Sequence, residues 1–321
     1  MLLVTLVAMA AIAAKRRAVR SGSGGLAGHE HERFVTLDGI RHDFLVYVPR
    51  SHDGVRELPL LLSFHGGGGN ADQHERNVDL RATAERRGFL LVRPEGYDAS
   101  GLGLRTWNAG NCCGGALRDG VDHVAAVRAI LDRVEDEWRI DVDRVYATGH
   151  SNGGMMVYRL ACELSDRVVA IAPNAAYLVD KDLDANPPRE LFRCEPSRPV
   201  PVMHMHGDAD TCSPMAGGRS TGFEPALRPP VSDSITRFVA FNQASTIPRV
   251  RFQNGDVTCV TYDGSQADVV LCTARGGGHA WPGASYSART KRICGGNAID
   301  DLKANDAIWD FFMAQSGVPA P

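Results

Sequence analysis

The chain has 321 residues, of which 44% are hydrophobic and 23% are charged, and its formal net charge at pH 7 is −3. This is the composition of an ordinary globular protein, and the length suits one large α/β domain or two small ones. The sequence contains neither a basic stripe nor an acidic tail, so it gives no sign of a nucleic-acid partner or of a strongly charged one.

The N-terminal 14 residues are almost wholly apolar. This run is too short to span a bilayer comfortably but fits the hydrophobic part of a signal peptide, with Ala11-Ile12-Ala13 as a small-residue cleavage site. Positive charge after such a run, here Lys15-Arg16-Arg17, opposes export, so an N-terminal anchor or a misplaced start codon stays open. We expect residues 1–14 to be a signal peptide or anchor, residues 15–32 a flexible linker, and residues 33–316 a single folded domain. With the leader cleaved, we expect a secreted or periplasmic protein without stable membrane association.

The chain contains eight cysteines, a number that favours an oxidising compartment. They are Cys112, Cys113, Cys162, Cys194, Cys212, Cys259, Cys272 and Cys294. None is spaced as CxxC, which argues against a zinc ribbon. Cys259 and Cys272 lie symmetrically about the turn of a predicted hairpin, where opposed positions bring Cβ atoms close enough for a disulfide. We therefore predict a Cys259–Cys272 bond, while the pairing of the other cysteines stays open.

Two β-prone runs, at residues 33–37 and 44–48, are joined by Asp38-Gly39 and predict an N-terminal hairpin. From residue 60 to about residue 206, short apolar runs alternate with stretches of helical periodicity. The predicted strands of this region cover residues 60–64, 89–94, 144–147, 168–172 and 200–206. The predicted helices cover residues 72–87, 121–138 and 155–161. This alternation predicts an α/β fold with a mostly parallel central sheet and helices on both faces.

The rest of the chain continues with mixed elements. A helix is expected at residues 232–243 and a closing amphipathic helix at residues 297–315. Late strands are expected at residues 250–252, 257–262 and 269–273. A glycine-rich, irregular segment from Glu95 to Asp119 interrupts the regular alternation. Neither an internal repeat nor a second domain boundary is visible.

The central motif is Gly149-x-Ser151-x-Gly153, which falls between a predicted strand and a predicted helix. This is the context of a nucleophile elbow, in which the turn is so tight that glycine is needed on both sides of an exposed serine. The alternative is a glycine-rich turn before a buried helix. A serine alone is a poor nucleophile, so the elbow interpretation requires a base and an orienting acid elsewhere in the chain.

On a sheet with an elbow serine, the acid and then the histidine follow later in the chain. His279 is the only histidine beyond residue 206, and it lies in a glycine-rich loop directly after a predicted strand. Asp208 and Asp210 both follow another predicted strand. We favour Asp210 as the acid, because Asp208 suits a turn-capping role and Asp210 lies further round toward His279. An Asp-x-Asp pair can also bind a divalent metal, but no further ligands cluster in the sequence, so we expect neither a metal nor a cofactor.

Acyl transfer needs N–H donors for a negatively charged oxygen, and we expect the backbone of Asn152 to supply one. For the second we favour Gly67, in the glycine loop after residue 65, where the main chain can approach a substrate closely. A phosphate-binding loop is the rival interpretation, but no Gly-Lys-Ser/Thr follows. Trp107 and Trp281 are candidate walls of the substrate pocket, although a tryptophan is often simply packed. The stretch His29-Glu30-His31-Glu32 lies in the predicted linker, and we expect it to be solvated.

Five motifs occur together in this chain. They are His65–Asn70, Trp107-Asn108 with Cys112-Cys113-Gly114, Gly149–Met156, His206-Gly207 with Asp210, and Gly277–Gly283. Jointly they resemble the esterase family that includes poly(3-hydroxybutyrate) depolymerases and feruloyl esterases. The resemblance covers roughly residues 33 to 316 and implies an α/β-hydrolase catalytic domain.

The resemblance implies Ser151 as nucleophile, Asp210 as acid and His279 as base, in secreted, cofactor-free ester hydrolysis. The chain departs from the family pattern in its leader and at Thr211-Cys212, where apolar residues are expected. We therefore expect a serine carboxylic-ester hydrolase for feruloyl or short-acyl esters, or for soluble poly(3-hydroxybutyrate) oligomers. The alternatives are an acyltransferase that uses the same three side chains, and a non-catalytic binding protein of the same fold.

Overall fold

The computed structural model describes residues 27–222 and 224–315, so the expected leader and most of the expected linker lie outside the described residues. In chain order, the strands are β1 Glu30–Leu37, β2 Ile40–Tyr47, β3 Leu58–Phe64, β4 Leu90–Pro94, β5 Ile140–His150, β6 Ala170–Asn174, β7 Lys181–Asp182, β8 Arg189–Glu190, β9 Val202–Gly207, β10 Gly218–Arg219, β11 Leu227–Arg228, β12 Arg249–Asn254, β13 Val257–Tyr262 and β14 Val269–Ala274. The helices are α1 Ala71–Val78, α2 Leu80–Arg87, α3 Gly114–Arg118, α4 His123–Glu137, α5 Asn152–Glu163, α6 Val231–Phe241, α7 Ala288–Cys294 and α8 Ala304–Gln315.

Within the described residues, one ten-stranded sheet has the order β1-β2-β4-β3-β5-β6-β9-β14-β13-β12. The run from β4 to β14 is parallel, and antiparallel strands flank it on both sides. The short pairs β7–β8 and β10–β11 stand apart from this sheet. The prediction of a mostly parallel α/β sheet is therefore confirmed, and the carboxyl ends of its central strands form one edge where loops can converge.

The central strands are continuous apolar runs because helices cover both faces of the sheet. Strand β3, for example, consists entirely of buried residues. Its side chains alternate between two hydrophobic clusters, with Leu60 and Leu62 in one and Leu61 in the other. Each such leucine contributes about 1.5–3 kcal/mol on burial, so packing on both faces stabilises the strand.

The first strand begins before residue 33, the expected start of the folded domain. Glu30 forms an ion pair with Arg93, and the His31 ring lies 5.9 Å from the ring of Trp138. Residues 30–32 each pair with β2 and thus belong to the sheet, which corrects the expectation of a linker. Residues 29, 30 and 32 are exposed, as expected of a solvated stretch.

Two predicted helices have different boundaries in the structure. The stretch 72–87 is divided into α1 and α2 by Asp79, which has φ 54° and ψ 48°. The closing helix begins at Ala304 instead of residue 297. Asn297 instead exchanges backbone hydrogen bonds with the Gly276–Gly278 segment, so this stretch is held outside any helix.

Four disulfides join the eight cysteines: Cys112–Cys113, Cys162–Cys194, Cys212–Cys294 and Cys259–Cys272. The predicted bond is confirmed, since Cys259 and Cys272 are directly opposed in the β13–β14 register. Across the described ranges, no helix has both the length and the apolar character needed to cross a membrane.

Candidate active site

Ser151 stands between the end of β5 and the start of α5, with the unusual backbone angles φ 55° and ψ −123°. Its N–H donates to the Asn174 carbonyl at 2.9 Å, which fixes the turn against β6. A Cβ placed on Gly149 would lie 2.7 Å from the Gly153 carbonyl group. Because the chain closes on itself here, only glycine fits beside the serine, and the segment has the geometry of a nucleophile elbow.

The loops after β9 and β14 bring Asp210 and His279 together. His279 Nδ1 lies 2.6 Å from Asp210 Oδ2, and the Ser213 N–H donates to Asp210 Oδ1 at 2.8 Å. Asp208, the competing carboxylate, instead accepts the Gly276 N–H at 2.6 Å. Asp210 therefore orients the imidazole, whereas Asp208 fixes the turn that precedes it.

The loop that carries His279 is held on several sides. Tyr286 accepts the His279 N–H at 3.1 Å and donates to the Gly295 carbonyl at 2.6 Å. The Gly278 N–H donates to the Asn297 carbonyl at 2.8 Å. Although the loop is rich in glycine, these bonds give the imidazole a defined position.

The imidazole of His279 lies against the elbow through His150, the residue before Ser151. The ring centroids of His150 and His279 are 4.6 Å apart. His150 Nδ1 donates to Asn174 Oδ1 at 2.7 Å, and burial, followed by the nearby charge of His279, lowers the pKa of His150 to about 3. His150 thus stays uncharged beside the imidazole of His279.

Two backbone N–H groups lie close together at the elbow. Among the described residues, neither the Gly67 N–H nor the Asn152 N–H has a protein acceptor. A Cβ on Gly67 would meet Asn152 Cβ at 3.4 Å, so the two backbones are close. Such a pair can receive the developing negative oxygen of a tetrahedral intermediate.

His65 fixes the peptide that carries the Gly67 N–H. The Gly96 N–H donates to His65 Nε2 at 3.0 Å, so the ring proton is on Nδ1, which donates to the Gly66 carbonyl at 2.8 Å. The Gly69 N–H reaches the same carbonyl at 3.1 Å. In a trans peptide the C=O and N–H point in opposite directions, so this anchoring turns the Gly67 N–H away from His65. Burial lowers the pKa of His65 to about 4, so the ring stays neutral.

Trp107 and Trp281 support the site from the interior. Trp107 is 1% exposed, and its indole N–H donates to the His65 carbonyl at 2.8 Å. Trp281 is 2% exposed, and its indole N–H donates to Asn305 at 3.0 Å. Because both indoles are almost wholly packed, they offer little surface to a ligand, which differs from the expectation of pocket walls.

The side chain of Asn152 attaches the irregular 95–119 segment to the elbow. Its Oδ1 accepts the Trp107 N–H at 2.8 Å and its Nδ2 donates to the Trp107 carbonyl at 3.0 Å. The same Nδ2 lies 3.6 Å from the sulfur of Cys112. With the side chain occupied in this way, the backbone N–H of Asn152 is left for the site.

The Cys212–Cys294 disulfide joins the loop of Asp210 to helix α7, which follows the His279 loop. The Thr211 N–H also donates to the Cys294 carbonyl at 2.9 Å. The cysteine that departs from the family pattern therefore connects the two loops whose side chains must meet.

Residues 27–222 and 224–315 contain no group of three or more His, Cys, Asp or Glu side chains that could hold one metal ion. Both carboxylates of the Asp-x-Asp pair are already hydrogen-bonded within the protein.

The structure joins His279 to Asp210, places the His279 ring against His150, the residue before Ser151, and brings Gly67 beside Asn152. Sequence reasoning missed the roles of His65, Tyr286 and the Asn152 amide, because their partners are distant along the chain. The position of His65 directly after a buried strand was the only signal for its role.

A family model described as Esterase PHB depolymerase matches residues 43–213. The candidate esterase NocK of Nocardia uniformis subsp. tsuyamanensis is 32% identical over 79% of this chain and 74% of its own length. Feruloyl esterase B of Piromyces equi is 28% identical over 74% of this chain, but the match spans only 42% of that relative. Among solved structures, the acetyl xylan esterase from Aspergillus awamori has a TM-score of 0.58 and 12% identity, and the match covers 83% of this chain and 98% of that one.

Proposed function

Because the chain belongs to the Esterase PHB depolymerase family and is a carboxylic-ester hydrolase with the α/β-hydrolase fold, we propose that it cleaves esters through an acyl-enzyme on Ser151. The observation that carries this proposal is the 2.6 Å bond between His279 and Asp210. It leaves the other ring nitrogen of His279 free, on a ring that lies against the residue before the elbow serine.

In the first half-reaction, the Ser151 hydroxyl attacks the ester carbonyl while His279 Nε2 takes its proton. The Nδ1–H of His279 stays bonded to Asp210, whose negative charge stabilises the imidazolium. The oxyanion accepts hydrogen bonds from the Gly67 and Asn152 N–H groups, and the intermediate collapses as His279 protonates the departing alcohol.

In the second half-reaction, a water molecule attacks the acyl-enzyme while His279 takes a proton from that water. A second tetrahedral intermediate forms at the same oxyanion donors. Its collapse breaks the bond to Ser151, whose oxygen regains a proton from His279, and the carboxylic acid is released.

We propose feruloyl or short-acyl esters, or soluble poly(3-hydroxybutyrate) oligomers, as the substrate class. Two findings support this substrate class. Several relatives are named feruloyl esterases, and the matching family model is described as Esterase PHB depolymerase. We further propose that the protein acts outside the cytoplasm, since four disulfides are typical of an oxidising compartment.

The test is the Ser151→Ala variant, with Ser245→Ala, a change at an exposed serine, as the matched control. We expect Ser151→Ala to abolish p-nitrophenyl acetate hydrolysis and labelling by a fluorophosphonate probe, with the circular dichroism spectrum unchanged. The control should retain both properties. A Ser151→Ala variant that keeps most of its activity would refute the proposal.

A comparison of kcat/KM separates the substrate classes, with methyl ferulate, acetylated xylan and 3-hydroxybutyrate oligomers as the substrates. Added alcohol acceptors report whether the acyl group passes to water or to an alcohol. Preferential transfer to alcohol would overturn hydrolysis as the principal reaction.

A further inference from the structure

Behind Asp210, a chain of buried polar side chains runs from helix α5 through strand β9. The Tyr158 hydroxyl lies 2.8 Å from His204 Nδ1, and His204 Nε2 lies 3.0 Å from His206 Nδ1. His206 Nε2 then lies 2.7 Å from the Ser213 carbonyl oxygen. The planes of the two imidazoles are nearly parallel, with an angle of 9° between them, as suits a hydrogen bond between their edges. All three side chains are buried, and the proposed mechanism uses none of them.

The Ser213 carbonyl fixes the donor and the acceptor of every hydrogen bond in this row of side chains. A carbonyl oxygen can only accept, so His206 Nε2 must carry a proton. A neutral imidazole has one N–H, so His206 Nδ1 accepts from His204 Nε2–H. His204 Nδ1 then accepts from the Tyr158 hydroxyl. Burial lowers the pKa of both histidines, which agrees with two neutral rings of defined tautomer.

This row of hydrogen bonds ends at Ser213, whose backbone also binds the proposed catalytic acid. The Ser213 carbonyl accepts from His206, and the Ser213 N–H donates to Asp210 Oδ1 at 2.8 Å. His206 Nε2 itself is 3.9 Å from Asp210 Oδ2, beyond hydrogen-bond distance. His206 therefore acts on the carboxylate through the backbone of Ser213.

From this geometry we infer that His206 is a positioning residue for Asp210, orienting the Ser213 peptide so that the carboxylate faces the imidazole of His279. The inference rests on the proposed function, in which that carboxylate orients the base. A misplaced orienting group lowers the rate because proton transfer requires aligned partners.

Other contacts keep the turn folded when this one is removed. The Tyr177 hydroxyl donates to the Pro214 carbonyl at 3.0 Å, and Cys212 is tied to Cys294. Loss of the His206 bond is therefore expected to change the orientation of the Ser213 peptide without unfolding the loop.

Two amide variants separate the bond to Ser213 from simple packing. Asn in place of His206 puts an amide near the Nδ1 position, where it reaches His204 alone. Gln puts an amide near the Nε2 position, where it can still donate to the Ser213 carbonyl. We expect His206→Asn to lower kcat by about tenfold with KM nearly unchanged, and His206→Gln to stay within about threefold of the parent.

Proton NMR supplies a readout that a purely structural role would not move. The far-downfield resonance of the His279 Nδ1–H should weaken or shift in His206→Asn and stay in His206→Gln. Asn242→Ala is the control, since it removes two buried hydrogen bonds to the backbone of Val200, of 2.9 and 2.7 Å, just before the same strand. It should lower the stability while leaving kcat and the resonance unchanged.

Equal activity in both His206 variants, whether retained or lost, would overturn the inference. If His206→Asn does not fold, ¹⁵N NMR of the histidine rings in the parent protein decides instead, and a proton found on His206 Nδ1 would refute the arrangement. Activity surviving in Ser151→Ala would refute the proposed function alone, because the tautomer measurement does not depend on catalysis.

Discussion

His279 Nδ1 lies 2.6 Å from Asp210 Oδ2, although 69 residues separate the two along the chain. The other Asp210 oxygen accepts the Ser213 N–H at 2.8 Å, and the carboxylate is wholly shielded from solvent. Because water does not screen this pair, the charge of Asp210 acts strongly on the imidazole. The site therefore depends on the orientation of a single buried carboxylate.

The same substitution at two aspartates tests this dependence. Asp210→Asn is expected to lower kcat/KM by about 10⁴-fold, as an amide there stabilises the wrong histidine tautomer. Asp208→Asn keeps an acceptor for the Gly276 N–H and should remain within a few-fold of the parent. Steady-state hydrolysis of p-nitrophenyl acetate measures both, with thermal melts as the folding control. A larger loss from Asp208→Asn would contradict the assignment of Asp210.

His65 offers a test of the proposed oxyanion donors, which are backbone N–H groups and cannot be removed by mutation. His65→Asn keeps an amide donor near the Gly66 carbonyl, whereas His65→Gln keeps an acceptor only near the Gly96 N–H. Complete loss of one oxyanion donor costs about a hundredfold to a thousandfold in kcat. Misalignment of the Gly67 N–H in His65→Gln should cost about tenfold to a hundredfold, and His65→Asn should lose less.

Stopped-flow and steady-state kinetics separate kcat from KM in the His65 pair. The expected change is in kcat, because the donors bind the negatively charged oxygen more strongly than the ground-state carbonyl. If both variants raised KM and left kcat intact, the anchoring role of His65 would be wrong.

Two disulfides can be removed in matched pairs of serine variants. The Cys212–Cys294 bond spans 82 residues and the Cys259–Cys272 bond spans 13. Chain-entropy arguments give losses of about 4–5 and about 3 kcal/mol in the free energy of unfolding. The 212/294 variant should also lose kcat, because this bond joins the loop of Asp210 to the segment after the base. The 259/272 variant should keep the kcat of the parent. An equal effect of both pairs on kcat would show that the Cys212–Cys294 bond has no special role at the site.

Because several histidines are buried in the neutral form, we predict that the free energy of unfolding decreases at acidic pH. Burial lowers the pKa of His65 from 6.5 to about 4 and that of His123 and His150 from 6.5 to about 3. The unfolded chain therefore binds more protons than the native one between these values and 6.5, so stability is full above pH 6.5 and is lost as the pH falls toward 4. Each histidine contributes up to about 1.4 kcal/mol per pH unit, and the raised pKa of Glu75 offsets part of the slope.

Urea unfolding across this pH range measures the slope. His123→Asn keeps an acceptor for the Asn108 N–H, which lies 3.1 Å from His123 Nδ1, but removes one titrating ring. In this variant, the slope of the free energy of unfolding against pH should fall by the amount that corresponds to about one bound proton. An unchanged slope would show that His123 does not contribute.

The fold could be predicted from the sequence where local pattern and tertiary environment agree. The central strands are continuous apolar runs because they are buried on both faces, and the alternation with helices then fixes a parallel sheet. The Cys259–Cys272 bond followed from hairpin symmetry alone. The order of residues along the chain selected His279, and the turn chemistry of Asp208 left Asp210 as its partner, the pair that the geometry brings together.

The remaining features depend on contacts between distant parts of the chain. The break at Asp79 is held by Asn305, whose amide donates to the Val78 carbonyl at 2.6 Å and to the Asp79 carbonyl at 3.3 Å. The local sequence gives no indication of a partner more than 220 positions away. The tautomers of His65 and His206 likewise follow from backbone groups that only the folded chain supplies.

Two connections at the edge of the sheet carry hairpins of their own. The pair β7–β8 lies between β6 and β9, and the pair β10–β11 lies between β9 and α6. Both connections leave the carboxyl ends of parallel strands, and neither hairpin contributes a strand to the large sheet. The Asp184 carboxylate, between β7 and β8, accepts hydrogen bonds from the Arg219 side chain of β10 and from the Leu227 N–H of β11. The two hairpins therefore form one unit, and protein engineers who exchange them for those of a homologue must exchange both together.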